Sequence, residues 1–382
     1  MYITFKKNTQ EEIVKLTFKD VYENFETNKI PVPERSDKFF RTFTKQIDQY
    51  QADITIQKYD KENMLKKLED IHPRVRELLT ADMSHHYKTF HIPKRQGGLR
   101  KIDAPEPELM ELLRDIKKIF EKDLKVLTHN SAFAYVKGRS TKDALMEHQK
   151  NESKWFLKLD IKDFFPSCNA KFILNQLAEL FPFQILMQET NTRKIISDIV
   201  ELCLLKNRLP QGTPMSPLLT NLIMLPLDFD LSFSLRNFDR KHFIYTRYAD
   251  DLLISCKYHF NWGKVQNHIN DILKLSTPFR IKHQKTRYGS AAGRNWNLGL
   301  MLNKDNKITI GFRKKERLRA TIFTFFQDLT NNNTWNTIDT QILLGNISYF
   351  HRVEPEYINN LISKYSTKFN KDFYNETARI IG

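Results

Sequence analysis

The sequence predicts an α+β fold, and three stretches carry that expectation. Tyr87 to Pro105, YKTFHIPKRQGGLRKIDAP, alternates as a strand does, breaks at Gly97-Gly98 and closes at Pro105, which is the pattern of a basic β-hairpin. WFLKL, from Trp155, reads as a buried strand, and AKFILNQLAELF and RKIISDIVELCLL after it space their apolar residues as helices do. FIYTRYADDLLISC sets two adjacent acids, Asp250 and Asp251, between two apolar runs, as a hairpin with a charged tip would.

The remaining elements follow in order. The first seventy or so residues are polar and charged, with short helical patterns such as TQEEIVKLTFKDVYENF, and carry no motif with assignable chemistry. After the basic hairpin, Leu109, Leu112, Leu113, Ile116, Ile119 and Phe120 recur at helical spacing, so a packed amphipathic helix anchors it. LPQGTPMSPLLTNLIMLPLDFDL is punctuated by Gly and Pro and then enters a helix whose start Ser216 and Pro217 set. HFNWGKVQNHINDILKL is helical, NWNLGLMLNKDNKITIGF is a pair of strands about an Asn/Asp turn, and from Arg313 onward the pattern is helical and basic. With no internal repeat and no low-complexity linker, these are subdomains of one module.

Composition narrows the partners. In 382 residues, 40% of them hydrophobic, Lys plus Arg number 61 against 45 Asp plus Glu, and the resulting +16 is spread along the chain. That distribution suits a polyanion gripped over a wide surface, with nucleic acid the leading candidate. No apolar run approaches the roughly 18 residues that span a bilayer, and MYITFKKNTQEEIVK lacks a signal-peptide apolar region, so a cytoplasmic protein without a membrane partner is expected. Cys168, Cys203 and Cys256 are far apart and fit neither a zinc site nor a disulfide framework; reduced core thiols are expected.

The acid pair at the hairpin tip needs a reason. A bare pair of acids at a hairpin is more often an ordinary polar turn, but Asp160 ends the apolar strand WFLKL, where a strand leaves its sheet. A strand-end acid beside a hairpin-tip pair is an arrangement that holds two divalent cations, roughly 3.5–4 Å apart, for a phosphoryl displacement.

LKLDIKDFFPS, LPQGTPMSPLLTNL and YTRYADDLLIS, in this order, resemble the palm motifs of reverse transcriptases, and YVKGRSTKDALMEH resembles the stretch preceding them in bacterial retron-type enzymes. FHIPKRQGGLRKIDAP is similar to the fingers hairpin of bacterial and group II intron enzymes, and LLGNISYFHRVEPEY to a helix pair of their thumb. The resemblance runs from about Tyr87 to about Tyr365. It implies a right-hand polymerase: an N-terminal extension over 1–80, fingers and an antiparallel palm over 81–300, and a primer-grip strand with a helical thumb over 301–382.

The resemblance also implies roles. Asp160, Asp250 and Asp251, with Ile161 beside them, would bind two Mg²⁺ ions (Mn²⁺ as the alternative), one activating the primer 3′-hydroxyl and one escorting the triphosphate. Phe165 matches the bulky residue under the nucleotide sugar, where a ring clashes with a 2′-hydroxyl; its plainer reading is a core aromatic. Ile161, Gln211 and Gly212 would lie along the nucleotide and template, with Gly212 allowing a close backbone approach. Lys94 and Arg100, on opposite strands of the fingers hairpin, would grip the triphosphate, and Lys285 would protonate the pyrophosphate as general acid. NLGLML would be the primer grip, and the basic helices beyond Arg313 would follow the template–primer duplex through its phosphates.

Departures qualify the resemblance. Retron enzymes carry an Asn-Ala-x-x-His and a Val-Thr-Gly element; here the corresponding positions read Asp143-Ala144-Leu145-Met146-Glu147, with His148 one residue late, and Asn297-Leu298-Gly299. The chain also ends soon after the thumb, leaving no room for maturase, endonuclease or ribonuclease H regions. The expectation is therefore a stand-alone bacterial, defence-associated reverse transcriptase that makes DNA from dNTPs on a dedicated non-coding RNA, with a protein partner or a second copy left open. Its rivals are an RNA-directed RNA polymerase, which Phe165 opposes; a retired RNA-binding scaffold, which the intact acids oppose; and a non-templated or protein-primed DNA synthesiser, which the sequence does not exclude.

Overall fold

The computed structural model describes residues 2–7, 10–15 and 61–382, apart from 95–96, 125, 237, 292–295 and 297–298. Strands β1 (Tyr2–Lys7) and β2 (Gln10–Lys15) pair antiparallel, Tyr2 opposite Lys15. This corrects the helical reading of TQEEIVK: the run YITF has the β-branched and aromatic character of a strand, and pairing with it overrides the helix propensity of Gln10–Lys15. The rest of that helical pattern lies outside the described residues.

The chain divides into two compact units. The first comprises Met1–Gly138, Leu159–Leu252 and Asn261–Thr286. Its helix Lys61–Leu78 buries Met64, Leu68, Ile71, Val75 and Leu78, an i, i+4, i+7, i+11, i+14 stripe. His72 meets Asp198 at 2.7 Å and Arg74 meets Asp115 at 3.0 Å, tying it to helices Thr190–Leu202 and Pro107–Lys118. The predicted basic hairpin is present as β3 (Tyr87–Pro93) and β4 (Leu99–Pro105), with Gly97 and Gly98 at φ 87° and 79° in the turn, a conformation open chiefly to glycine. The helix after it buries the predicted Leu109, Leu112, Leu113 and Ile116, then widens into one π-turn over Ile119–Asp123.

Strands β5 (Trp155–Asp160), β6 (Phe243–Tyr248), β7 (Asp251–Cys256) and β8 (Arg287–Ser290) form a sheet in the order β6-β7-β5-β8. The predicted helix after the Gly/Pro segment starts at Met215, one residue before Ser216, and ends at Ile223. A second helix, Leu225–Arg236, continues at an angle of 44°. Pro226, with no N–H to give to the preceding turn, is the physical reason for the break. Both helices are apolar because Leu219, Leu222, Ile223, Leu227 and Leu231 are core residues. Among the described residues no single helix is long and apolar enough to cross a membrane.

The second unit comprises Arg139–Lys158, Leu253–Phe260 and Arg287–Gly382. One of its cores gathers Leu145, Phe156, Trp296, Leu300 and Val353, with Phe156 and Trp296 stacked at 5.3 Å. Short strands β9 (Met301–Leu302) and β10 (Ile308–Thr309) are the predicted strand pair. A second core fills the space among helices Phe312–Thr330, Thr337–Val353, Pro355–Phe369 and Phe373–Ile381, where Phe325, Phe326 and Phe373 interlock. Helix Thr141–Lys150 begins with a reciprocal Ser140–Asp143 capping box and carries His148. That histidine is wholly buried, its Nδ1 2.6 Å from Ser255 Oγ, and Ser255 reaches Ser153 at 2.7 Å. Burial pushes His148 down to about 3. The cysteines are free and buried as expected, and burial pushes Cys168 and Cys203 up to about 12.

Candidate active site

The candidate site lies within the first unit, where β5 ends and the β6–β7 turn begins. Ile161 N–H donates to the Asp250 carbonyl at 2.9 Å, which fixes the strand end carrying Asp160 against the turn carrying the acid pair. From the other side, Lys282 N–H donates to the Asp160 carbonyl at 2.7 Å and Lys162 N–H to Arg280 at 2.8 Å. Ala249, just before the acids, is left-handed at φ 58°, so Asp250 occupies the turn and Asp251 opens β7.

The electrostatics follow from this crowding. Burial first, then the Asp251 and Asp160 carboxylates, push Asp250 up to about 6. Lys285 Nζ donates to Asp160 Oδ2 at 2.7 Å; its side chain is 49% exposed and that of Asp160 9%. Burial disfavours the lysine's charge, but the bond to Asp160 and the nearby acids override it and raise the group above its ordinary value. Lys285 therefore keeps its proton.

Among the described residues, no three His, Cys, Asp or Glu side chains are gathered closely enough to ligate an ion as they stand. The donor set nevertheless fits a hard divalent cation: three carboxylates share one strand-end corner, one of them is hard to ionise because of its burial and its neighbours, and a lysine neutralises another. Asp160, Asp250 and Asp251 are the side chains that would hold it.

The other expected residues fall into four groups. Phe165 is half-buried at the start of a short 3₁₀ turn, edge-on to Phe164 at 5.5 Å; Phe164 is the core member of the pair, packed on Phe279 at 5.2 Å. Gln211 and Gly212 are fixed to the hairpin, since Asp103 N–H donates to the Gln211 carbonyl at 2.8 Å. At Gly212, φ is 128° and a Cβ would sit 2.9 Å from the Asp103 carbonyl oxygen, so the close approach this glycine permits is to β4. Lys94 lies in the turn after β3 rather than on the strand, its N–H bonded to Gly98, and Arg100 stands on β4 opposite Ile92; both are exposed. Asn297 and Leu298 of the expected primer grip lie outside the described residues.

Beneath the turn is a network that the sequence reading missed. Arg247 and Asp228 have fully buried side chains and form a bidentate pair, Nη2–Oδ2 2.7 Å and Nε–Oδ1 2.9 Å. Tyr245 Oη donates to Asp228 Oδ1 at 2.7 Å, and Arg247 Nη1 donates to Asn221 Oδ1 at 3.1 Å and to the Ala249 carbonyl at 3.3 Å. Burial opposes the arginine's charge, but Asp228 outweighs it and holds the guanidinium protonated. The signal was legible as an arginine inside the apolar strand FIYTRY and an aspartate inside the apolar helix LPLDFDL.

Comparison with known proteins identifies the family. Residues 92–325 match the family "Reverse transcriptase (RNA-dependent DNA polymerase)". The retron Ec83 reverse transcriptase of Escherichia coli is 28% identical over 306 residues, covering 78% of this chain and 93% of that protein. The retron Ec73 enzyme of the same organism is 28% identical over 288 residues, covering 73% and 86%. Among solved structures, apo telomerase from Candida Tropicalis overlaps with a TM-score of 0.43 at 15% identity, covering 77% of this chain and 60% of that one. The chain belongs to the reverse transcriptase family of RNA-directed DNA polymerases.

Proposed function

We propose that this chain copies RNA into DNA by phosphoryl transfer at Asp160, Asp250 and Asp251. The observation that carries the reading is the convergence of three acids at the β5 end and the β6–β7 turn, with Asp250 driven up to about 6 by burial and its two neighbours. Two divalent cations, Mg²⁺ foremost, would supply charge stabilisation and an activated primer hydroxyl there. The protein's own groups do the rest by position. Lys285, protonated and half-exposed, would give its proton to departing pyrophosphate, a role its pairing with Asp160 supports. Phe165, half-buried beside a fully packed Phe164, is the ring free to meet the nucleotide sugar. Gln211 lies along the nucleotide, and Lys94 and Arg100 offer exposed cations to the triphosphate.

In this reading the β3–β4 hairpin belongs to the fingers, the four-stranded sheet to the palm, and the helices from Phe312 onward to the thumb. Helix Thr337–Val353 exposes Ile338, Ile342 and Tyr349 along one face, a flat apolar stripe suited to the shallow minor groove of an RNA–DNA duplex. The net charge of +16 supports an RNA partner. Likeness to the retron enzymes supports a bacterial enzyme that works with a dedicated non-coding RNA in antiphage defence. The test is Mg²⁺-dependent dNTP incorporation on an RNA template by the purified chain, with sequencing of the nucleic acid that copurifies. Incorporation that disappears with Asp251→Asn is expected; equal incorporation by that variant would remove the acids from the reaction.

A further inference from the structure

A buried ion pair seldom stabilises a fold more than apolar residues of the same shape would, so a pair placed directly under a reactive turn calls for another explanation. The contacts of Arg247 and Asn221 supply one. Arg247 Nη1 bonds the carbonyl of Ala249, which is held left-handed at φ 58° just before the acid pair. The same nitrogen bonds Asn221 Oδ1, and Asn221 Nδ2 donates to the Ala134 carbonyl at 3.0 Å. The residue after Ala134 is Tyr135, also left-handed, at φ 62°. The backbone repeats the link: Arg247 N–H donates to Ser131 at 2.6 Å, Phe133 N–H donates to the Arg247 carbonyl at 2.9 Å, and Ala132 bridges Arg247 in parallel.

One guanidinium thus ties together the two strained residues that flank this corner. A left-handed non-glycine residue is strained and persists only where its surroundings impose it. At Tyr135 the strain presents a large ring to solvent, 54% exposed, where a core aromatic would be hidden. Packing around the ring, and then the Asp250 charge, push the phenol above its ordinary range, while Arg100 on the hairpin opposes them. Tyr135 is thus near Asp250 of the acid turn and Arg100 of the hairpin.

We propose that Tyr135 contacts the reacting nucleotide, and that Arg247, acting through Asn221 and Ala249, is the positioning residue that holds this contact in register with the acid turn. The inference rests on the polymerase reading above. Whether the contact is to the incoming dNTP or to the primer end is one chemistry from two sources, which steady-state constants separate.

The experiment is single-nucleotide addition by the full chain on an RNA template with a DNA primer, with a thermal melt of every variant. Tyr135→Gly should melt at the wild-type temperature or above it, because glycine adopts this backbone without strain, yet lose about tenfold or more in kcat/KM. A rise in KM for dNTP assigns the contact to the incoming nucleotide; a rise in primer–template Kd assigns it to the primer end. Asn221→Ala should lower kcat/KM in the wild-type background and add little on top of Tyr135→Gly, since both break one connection. Arg247→Lys, which keeps the charge facing Asp228 but cannot reach both Asn221 and Ala249, should lower kcat. Wild-type kcat/KM in Tyr135→Gly, or full additivity of Asn221→Ala with it, would overturn the proposal. Loss of activity in Asp251→Asn with unchanged Tyr135→Gly means that this inference alone has failed; an inactive wild type, or an active Asp251→Asn, means that the polymerase reading has failed and this inference with it.

Discussion

Two ion pairs in the first unit, Arg247–Asp228 and Lys285–Asp160, have the same shortest N–O distance, 2.7 Å, and opposite surroundings. The first has both side chains at 0% exposure; the second has a lysine at 49% and an aspartate at 9%. Distance alone would rank them as equals. Burial separates them: neither member of the first pair can leave without stranding a charge in a poor solvent, whereas Lys285 can be exchanged for water or a cation at little expense. One pair is framework and the other is a replaceable counter-charge at the acid corner.

The comparison breaks most visibly on the acid of the exchangeable pair. Asp160→Asn is expected to lower primer extension by about 10³-fold or more, several kcal/mol of charge stabilisation, without lowering the melting temperature. Extension within tenfold of wild type would place the reaction elsewhere. For the framework pair the effect moves from rate to stability. Arg247→Met should destabilise the fold by about 3–5 kcal/mol in urea titration, because Asp228 and Tyr245 keep their polar atoms without the cation between them. A loss below about 1 kcal/mol would show that the site rearranges around the missing charge.

Lys285→Met should separate the two currencies. A half-exposed pair contributes less than about 1 kcal/mol to folding, so the denaturation midpoint should hardly move, while kcat falls roughly 10²-fold if the lysine is the proton donor. Equal losses in both would make it a structural residue. The smallest effect extends the contrast to the second unit, where the wholly buried His148 bonds Ser255, which in turn reaches Ser153. Its folded value of about 3 lies below its unfolded 6.5, so the fold binds fewer protons than the unfolded chain between these limits. Stability is therefore fullest above about pH 7.5 and declines as pH falls toward 3, with a limiting slope of about 1.4 kcal/mol per pH unit. His148→Gln should flatten that acid limb, as urea midpoints at pH 7.5 and 5.5 would report.

What could be read in advance depended on how far apart the cooperating residues are. The strand-end Asp160 and the Asp250-Asp251 pair were visible because each breaks an apolar run locally, and the β3–β4 hairpin because two adjacent glycines announce its turn. The division of labour between Phe164 and Phe165 was not visible, because adjacent identical residues differ only in which side the packed Phe279 occupies. Gly212 was expected to allow a close backbone approach along the nucleotide and template; the approach seen in the fold is to the carbonyl of Asp103, from a strand over a hundred residues earlier. Arg247 was passed over because its partners at Ser131, Asn221, Asp228 and Ala249 share no local pattern. The strand Gln10–Lys15 was misread as helical because its pairing partner, not its own composition, decides its state.

The Arg247 network also sets an order of events for the folding chain. Asn221 and Ala134 are 87 positions apart, and Asp228 and Arg247 only 19. The short link closes a small loop at low entropic cost, so the ion pair can seal between its helix and strand soon after Arg247 is available. The Ser131 carbonyl and the Phe133 N–H have their partner in Arg247, more than a hundred positions later, so this pairing closes only once that strand has been made. The strand of the acid turn is thus also the latch that closes this pairing, the last of the network's links to form.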